Sequence, residues 1–192
     1  MNDEVELRRM GNPTRRLSPR LVVIIGPIGS GKSTVAGLLA ARLVAAGLTV
    51  ATPDVDEVVV MGTGPADAFD TMWSRGRRVH GAVVGAWLRS GVDVVIAHGP
   101  AYTDEETEAL MADVPAGTPT TRVMLLAPYA VALERVTGDP LRGVSKDPAF
   151  LRSTHERFAA LRPAIPPCDH TFDTSSLSAD RLADTLAAEL LP

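Results

Sequence analysis

Polar positions disappear from residues 21–25, LVVII, and an aliphatic run of that length without alternation predicts a strand covered on both faces. After a glycine-rich turn, Val35, Leu38, Leu39, Leu43 and Ala46 recur at helical spacing, predicting a helix that ends by Gly47. Residues 48–52 form a second short strand and close a strand-helix-strand unit of the kind that builds parallel sheets. Residues 66–90 predict a long helix, or a bent pair broken near Gly76, with Phe69, Met72, Trp73, Val79, Val83, Val84, Trp87 and Leu88 on its apolar side. A third strand at 92–97, a fourth at 121–126 and a fifth around 170–172 alternate with helices that open at 103–106 and cover 129–137 and 148–161. The closing helix from Ser178 carries Leu182, Leu186 and Leu190 at four-residue spacing, a plain core stripe.

The first turn carries the most specific chemistry. Gly26, four residues, Gly31, Lys32 and Ser33 form the phosphate-loop pattern, placed between a strand and a helix as that pattern requires. Glycines let backbone N–H groups approach a phosphate with no side chain in the way. Lys32 adds a mobile cation, the Ser33 hydroxyl suits a magnesium ligand, and the helix that starts here aims its dipole at the same anion. Ligands of open parallel sheets sit beyond the carboxyl ends of the strands, so Asp54 and Asp56 in PDVDEVVV fall on the edge that holds the phosphate loop. Either is a candidate general base, and either is also readable as a helix cap.

Other candidates are less specific. Arg75, Arg77, Arg78 and His80 cluster on the long helix; Arg78 is the one assigned to substrate, and most of the rest suit a solvated face. Ala97 and His98 end the third strand where many phosphate-loop proteins place an acidic residue, and His98 is a candidate contact for the acceptor hydroxyl or for backbone alone. Thr103 to Glu106 spell a capping box, so Glu105, Glu106 and Glu108 need no catalytic explanation. Residues 138–147, GDPLRGVSKD, have little to bury and read as a lid, with Arg135 before it and Arg142 and Lys146 inside it.

Composition narrows the classes. A chain of 192 residues with 45% hydrophobic content suits one domain, and a net charge of -4 argues against general affinity for nucleic acid. The lone Cys168 excludes an internal disulfide and a cysteine-based zinc site, fits a reducing cytoplasm, and reads as an inert small residue. No apolar run approaches the roughly 20 residues that span a bilayer, so no membrane partner is expected. Residues 1–19 contain Arg8, Arg9, Arg15 and Arg16 with no apolar stretch of export type after them, and read as a flexible, solvated tail.

At GPIGSGKST, and more loosely at VDEVV, GVDVVIA, ALERVTGDPLRG and FDTSSLS, the chain resembles the small phosphate-loop kinases of the nucleoside-monophosphate-kinase type. Within them it is similar to the chloramphenicol phosphotransferase-like and zeta-toxin-like ATP-binding proteins, over residues 21–191. The resemblance implies an α/β, three-layer P-loop NTPase fold over residues 20–192, with a five-stranded parallel sheet, helices on both faces and a mobile lid near 138–147. It implies ATP and Mg2+, with Gly26, Pro27, Ile28, Gly29, Ser30, Gly31, Lys32, Ser33 and Thr34 around the phosphates and Ser33 on the metal. Asp173, Thr174 and Ser175 would lie along the adenine, Arg135 and Arg142 would neutralise the transferring phosphoryl group, and the family's base falls on Asp56. The absence of an acidic residue at Ala97 and His98 departs from the chloramphenicol enzymes.

The expectation is an ATP-dependent phosphotransferase that moves the γ-phosphoryl group to a hydroxyl of a small molecule, an antibiotic or a nucleoside among the candidates, with Lys32, Asp56, Arg135 and Arg142 catalytic and Asp54, Asp56, Arg78 and His98 around the acceptor. The alternatives are a nucleotide-dependent switch, or a toxin-type kinase acting on a nucleotide sugar. Homo-oligomerisation stays open.

Overall fold

The computed structural model describes residues 18–191, and the expectation of a flexible tail at residues 1–19 lies outside them but for Ser18 and Pro19. Strand β1 (Arg20–Ile25) runs up the middle of a five-stranded sheet. Helix α1 (Lys32–Ala45) leads to β2 (Val50–Ala51), then α2 (Val55–Val60) and the long α3 (Phe69–Ser90). β3 (Val94–His98), α4 (Asp104–Met111), β4 (Thr120–Leu126) and α5 (Tyr129–Gly138) follow. α6 (Pro148–Leu161), β5 (His170–Asp173) and α7 (Ala179–Leu190) complete the chain.

All pairings are parallel, in the order β2-β3-β1-β4-β5. The unalternating run of β1 now has its reason, because its successive residues feed two separate cores. Val22 and Ile24 pack with Val35, Leu39 and Leu43 of α1 and Leu182 and Leu186 of α7. Leu21, Val23 and Ile25 pack with Val84 and Leu88 of α3, Leu110 of α4 and Phe158 of α6. The result is the predicted three-layer α/β fold.

Helix α3 does not break at Gly76. That glycine is where α3 meets α2, and a Cβ there would run into Val59. Gly81 and Gly85 play the same part against the backbone of Ala109 and Asp113. All three glycines are contact points for the neighbouring helices. β2 is shorter than predicted, and β3 extends through His98, which lies opposite Ile24. Between α5 and α6 the chain makes one short 3-10 turn at Val144–Lys146; Leu141 and Val144 are exposed while Ser145 is buried. Among the described residues, no helix is long and apolar enough to cross a membrane.

Candidate active site

The loop after β1 is shaped by its glycines and held from outside. Gly29 and Gly31 take φ of 79° and 89°, angles that disfavour any other residue. Gly31 caps α1 with no side chain, and the first turn of α1 holds no acidic residue. By contrast Asp54, Thr103, Asp147 and Ser178 cap α2, α4, α6 and α7 through their side chains. A missing cap costs about 1 kcal/mol. Full burial of Leu39 and Leu43 contributes about 2 kcal/mol each, so α1 can leave its N–H groups free for an anion.

The carbonyls of residues 26–29 are each engaged. Gly26 accepts from the Tyr102 hydroxyl at 2.5 Å and from Lys32 Nζ at 2.8 Å, and Pro27 accepts from Lys32 at 3.0 Å. Ile28 accepts from His155 Nε2 at 2.8 Å, and Gly29 accepts from Arg135 at 3.0 Å. Pro27 and Ile28 thus serve the loop through their carbonyls, and Tyr102 and His155 join the site without any signal in the local sequence. The Ser30 hydroxyl is buried with no partner among the described residues, whereas Ser33 and Thr34 are exposed on the first turn of α1.

Burial pulls the Lys32 ammonium from its ordinary range to about 8, against the opposing pull of Asp56 and Asp54 and with a further push from Arg142. These four groups therefore share one small region. Asp54 resolves as the cap: its Oδ1 accepts from the N–H of Asp56 at 2.9 Å, while Oδ2 stands 3.4 Å from His98 Nδ1. Asp56, one step into α2, keeps its carboxylate free of such work and open to solvent. The crowding of protein around it, and then the Asp54 charge, raise its pKa; Lys32 and Arg142 oppose.

His98 is buried at the end of β3, and burial, Lys32 and His80 together hold its pKa down to about 4, so it is neutral near pH 7. His80 donates from Nε2 to the Pro53 carbonyl at 3.1 Å and fixes the turn that carries both aspartates. Arg78 needs correcting as the substrate residue. Its guanidinium is exposed and bonds Ser74 on its own helix at 3.1 Å. A helical step of 100° puts its neighbour Arg77 on the inner side instead, lining a small cavity with His98, Gly99 and Glu106.

On the opposite side of the loop lies a cleft of about 360 Å³, within the range of small-molecule sites. Gly29, Ser30, Gly31, Thr34, Arg142, Thr174 and Leu177 are among its walls. Arg135 is fastened in that wall: besides Gly29 it donates to Thr174 Oγ1 at 2.9 Å and to the Thr174 carbonyl at 2.7 Å. Among the described residues Arg142 pairs only with Asp139, at 3.3 Å. The turn after β5 borders this cleft. Asp173 turns back to accept from Ser175 N at 2.8 Å and Ser175 Oγ at 2.6 Å, so these two build the turn while Thr174 and residues 177–179 line the cleft.

Glu106 is the residue the sequence reading underrated. It is the capping-box residue of α4, and its Oε2 accepts from the N–H groups of Tyr102 and Thr103. It is also 5% exposed, and its Oε1 receives Arg77 and Arg157, each at 2.9 Å. Burial alone would raise its pKa, but the Tyr102 N–H and the two guanidiniums more than offset this and leave it below the usual carboxylate range. Its local role explained its presence, and partners from α3 and α6 leave no trace at that distance along the chain.

A phosphate-loop pattern on the central strand of a 2-3-1-4-5 parallel sheet, with paired aspartates after the second strand, gives the chain the P-loop NTPase fold. Comparisons with known proteins agree. The curated shikimate kinase of Streptomyces coelicolor is 36% identical over 97 residues, which are 50% of this chain and 55% of that protein. The match thus spans about half the length of that relative. A shikimate kinase from Acinetobacter baumannii, solved in complex with shikimate, is 25% identical with a TM-score of 0.58, covering 91% of this chain and 94% of that one. The tunicamycin resistance protein of Deinococcus radiodurans has the same fold at 20% identity and a TM-score of 0.61, covering 90% and 96%. No protein-family model matches the chain.

Proposed function

We propose that this protein is an ATP-dependent kinase that transfers the γ-phosphoryl group to a hydroxyl of a small molecule. The observation that carries the reading is the meeting of Lys32, Asp56 and Arg142 beside one uncapped helix N-terminus, between a cleft large enough for a nucleotide and the turn that carries the aspartates. Phosphoryl transfer demands alignment and charge neutralisation more than covalent chemistry. Backbone N–H groups of residues 29–33 and Lys32 take the phosphates, and the cleft walled by Thr174 and Leu177 takes the base. Asp56 orients the acceptor hydroxyl and accepts its proton, a task suited to a carboxylate whose pKa is raised. Arg142, on the segment 138–147 that closes as a lid, meets the charge on the transferring group, while Arg135 keeps the loop and the base-binding turn in register.

The residues present fit magnesium. Among the described residues no cluster of three His, Cys, Asp or Glu forms a cage, which leaves the Ser33 hydroxyl, phosphate oxygens and water, the arrangement this hard cation accepts. When bound, magnesium would draw charge from the phosphates, with Ser33 holding it and Asp54 nearby in support of its waters.

The relatives named above support a hydroxyl-bearing acceptor. Calorimetry with MgATP, followed by acceptor-dependent ADP release over a panel of sugars, nucleosides and hydroxylated antibiotics, tests the reading. ATP binding with ADP release that requires an acceptor is the expected result. Steady hydrolysis that no acceptor stimulates marks a switch instead, and absence of ATP binding removes both.

A further inference from the structure

The tip of the phosphate loop is a turn with two accessible states. Ser30 N–H donates to the Pro27 carbonyl at 3.2 Å and closes a four-residue turn in which Gly29 takes φ of 79°, the mark of type II. Type I and type II turns differ by a half-rotation of the peptide between their two central residues, here Ile28 and Gly29, and glycine accepts both at little cost. That peptide is trans, so its C=O and N–H point in opposite directions. A half-rotation would therefore swing the Gly29 N–H from one side of the loop to the other.

The carbonyl of this peptide has one partner among the described residues, His155 Nε2 on α6, at 2.8 Å. The imidazole is half-buried and held in place. The Tyr129 ring meets it edge-on with centroids 5.8 Å apart, and the Tyr129 hydroxyl donates to the Pro148 carbonyl at the start of α6 at 3.1 Å. With the Ile28 carbonyl held against α6, the Gly29 N–H is turned away from that helix. It has no protein partner among the described residues, and Gly29 is one of the walls of the cleft assigned to the nucleotide.

Resting on the kinase reading above, we propose that His155 is a positioning residue for the nucleotide phosphates: its hydrogen bond fixes the Ile28–Gly29 peptide in the type II state and keeps the Gly29 N–H available to a phosphate oxygen. His155 touches neither nucleotide nor acceptor and acts through the loop. Without that bond the peptide is free to turn over, and an anion must select the competent state from a mixture, which weakens its apparent affinity in proportion.

The test titrates MgATP and magnesium tripolyphosphate, a probe with no base, into the full chain. His155→Leu, which keeps apolar contact with Tyr129 and loses the donor, is expected to bind both ligands about tenfold more weakly than wild type. His155→Gln, whose amide N–H reaches the same carbonyl, is expected to restore most of the loss. Equal affinities in wild type and a folded His155→Leu overturn the proposal and leave the kinase reading standing. A loss confined to MgATP also overturns it, because the effect then lies in the base-binding wall. So does a His155→Gln as weak as His155→Leu, which makes the packing of the ring the cause. Where circular dichroism shows that His155→Leu fails to fold, His155→Asn, whose amide falls short of the carbonyl, takes its place with the same expectation. Wild type that binds neither ligand removes the kinase reading and the role of His155 together.

Discussion

Lys32 is expected to be a residue that the fold tolerates at a cost, and Lys32→Met measures that cost. Its ammonium falls from 10.5 to about 8 on folding, mainly through burial, and at about 1.4 kcal/mol per pKa unit this corresponds to about 3 kcal/mol against the charged folded state near neutral pH. The sign follows from proton binding. Between about 8 and 10.5 the unfolded chain holds a proton that the folded chain has lost, so stability rises with pH through that window, and below it the full penalty applies. Methionine removes the penalty and also the two hydrogen bonds to Gly26 and Pro27, about 1 kcal/mol each. The net expectation at pH 7 is a gain of about 1 kcal/mol, or about 2–4 °C in Tm for a chain of this size. Thermal unfolding at pH 7 and pH 10 reads it. The advantage of the variant should shrink at the higher pH, where wild type has shed the proton. MgATP at a hundredfold over its Kd should stabilise wild type by about 2.7 kcal/mol and leave the variant unmoved. A stability difference that is the same at both pH values refutes the argument, because it would show that Lys32 pays no electrostatic penalty in the folded protein.

Three further substitutions separate the roles around it. Asp56→Asn should lower turnover about 10²–10⁴-fold with ATP binding retained, and the acid limb of the wild-type rate profile should lie above the ordinary carboxylate range, as the raised pKa of Asp56 requires; normal turnover would pass the base role to Asp54 or His98. Arg142→Ala should cut kcat about 10²–10³-fold and change ATP affinity far less, and a loss confined to affinity would remove its transition-state role. Arg135→Ala should lower stability by about 1–3 kcal/mol and weaken ATP binding, since it frees Gly29 and Thr174 from one another. An unchanged Tm and Kd together would show the clamp to be idle.

What could be read along the chain is what short-range physics encodes. The aliphatic run of β1, the glycines and lysine after it, and the capping box at Thr103 are complete within a dozen residues, because strand burial, backbone freedom and helix capping are local demands. They settle the three-layer fold and the place of the phosphate loop. They also carry Asp54 and Asp56 to the correct edge of the sheet, although either could be read as cap or base. Only the tertiary structure makes Asp54 the cap, through a hydrogen bond from Asp56 N–H and the neighbouring ring of His98.

The misreadings share one cause. Gly76 looks like a breaker until Val59 lies against it, and Arg78 and Arg77 are indistinguishable until the packing of α3 turns one outward. Glu106 satisfies a local rule so well that nothing in its neighbourhood hints at Arg77 or Arg157. Tyr102 and His155 reach the phosphate-loop carbonyls across 76 and 127 residues of chain. Sequence alone determined which elements form and where the phosphate loop sits, since each depends on neighbours along the chain. Folding decided which charges face one another, because a carboxylate and a guanidinium acquire their partner, their pKa and their role only when separate helices bring them within hydrogen-bonding distance.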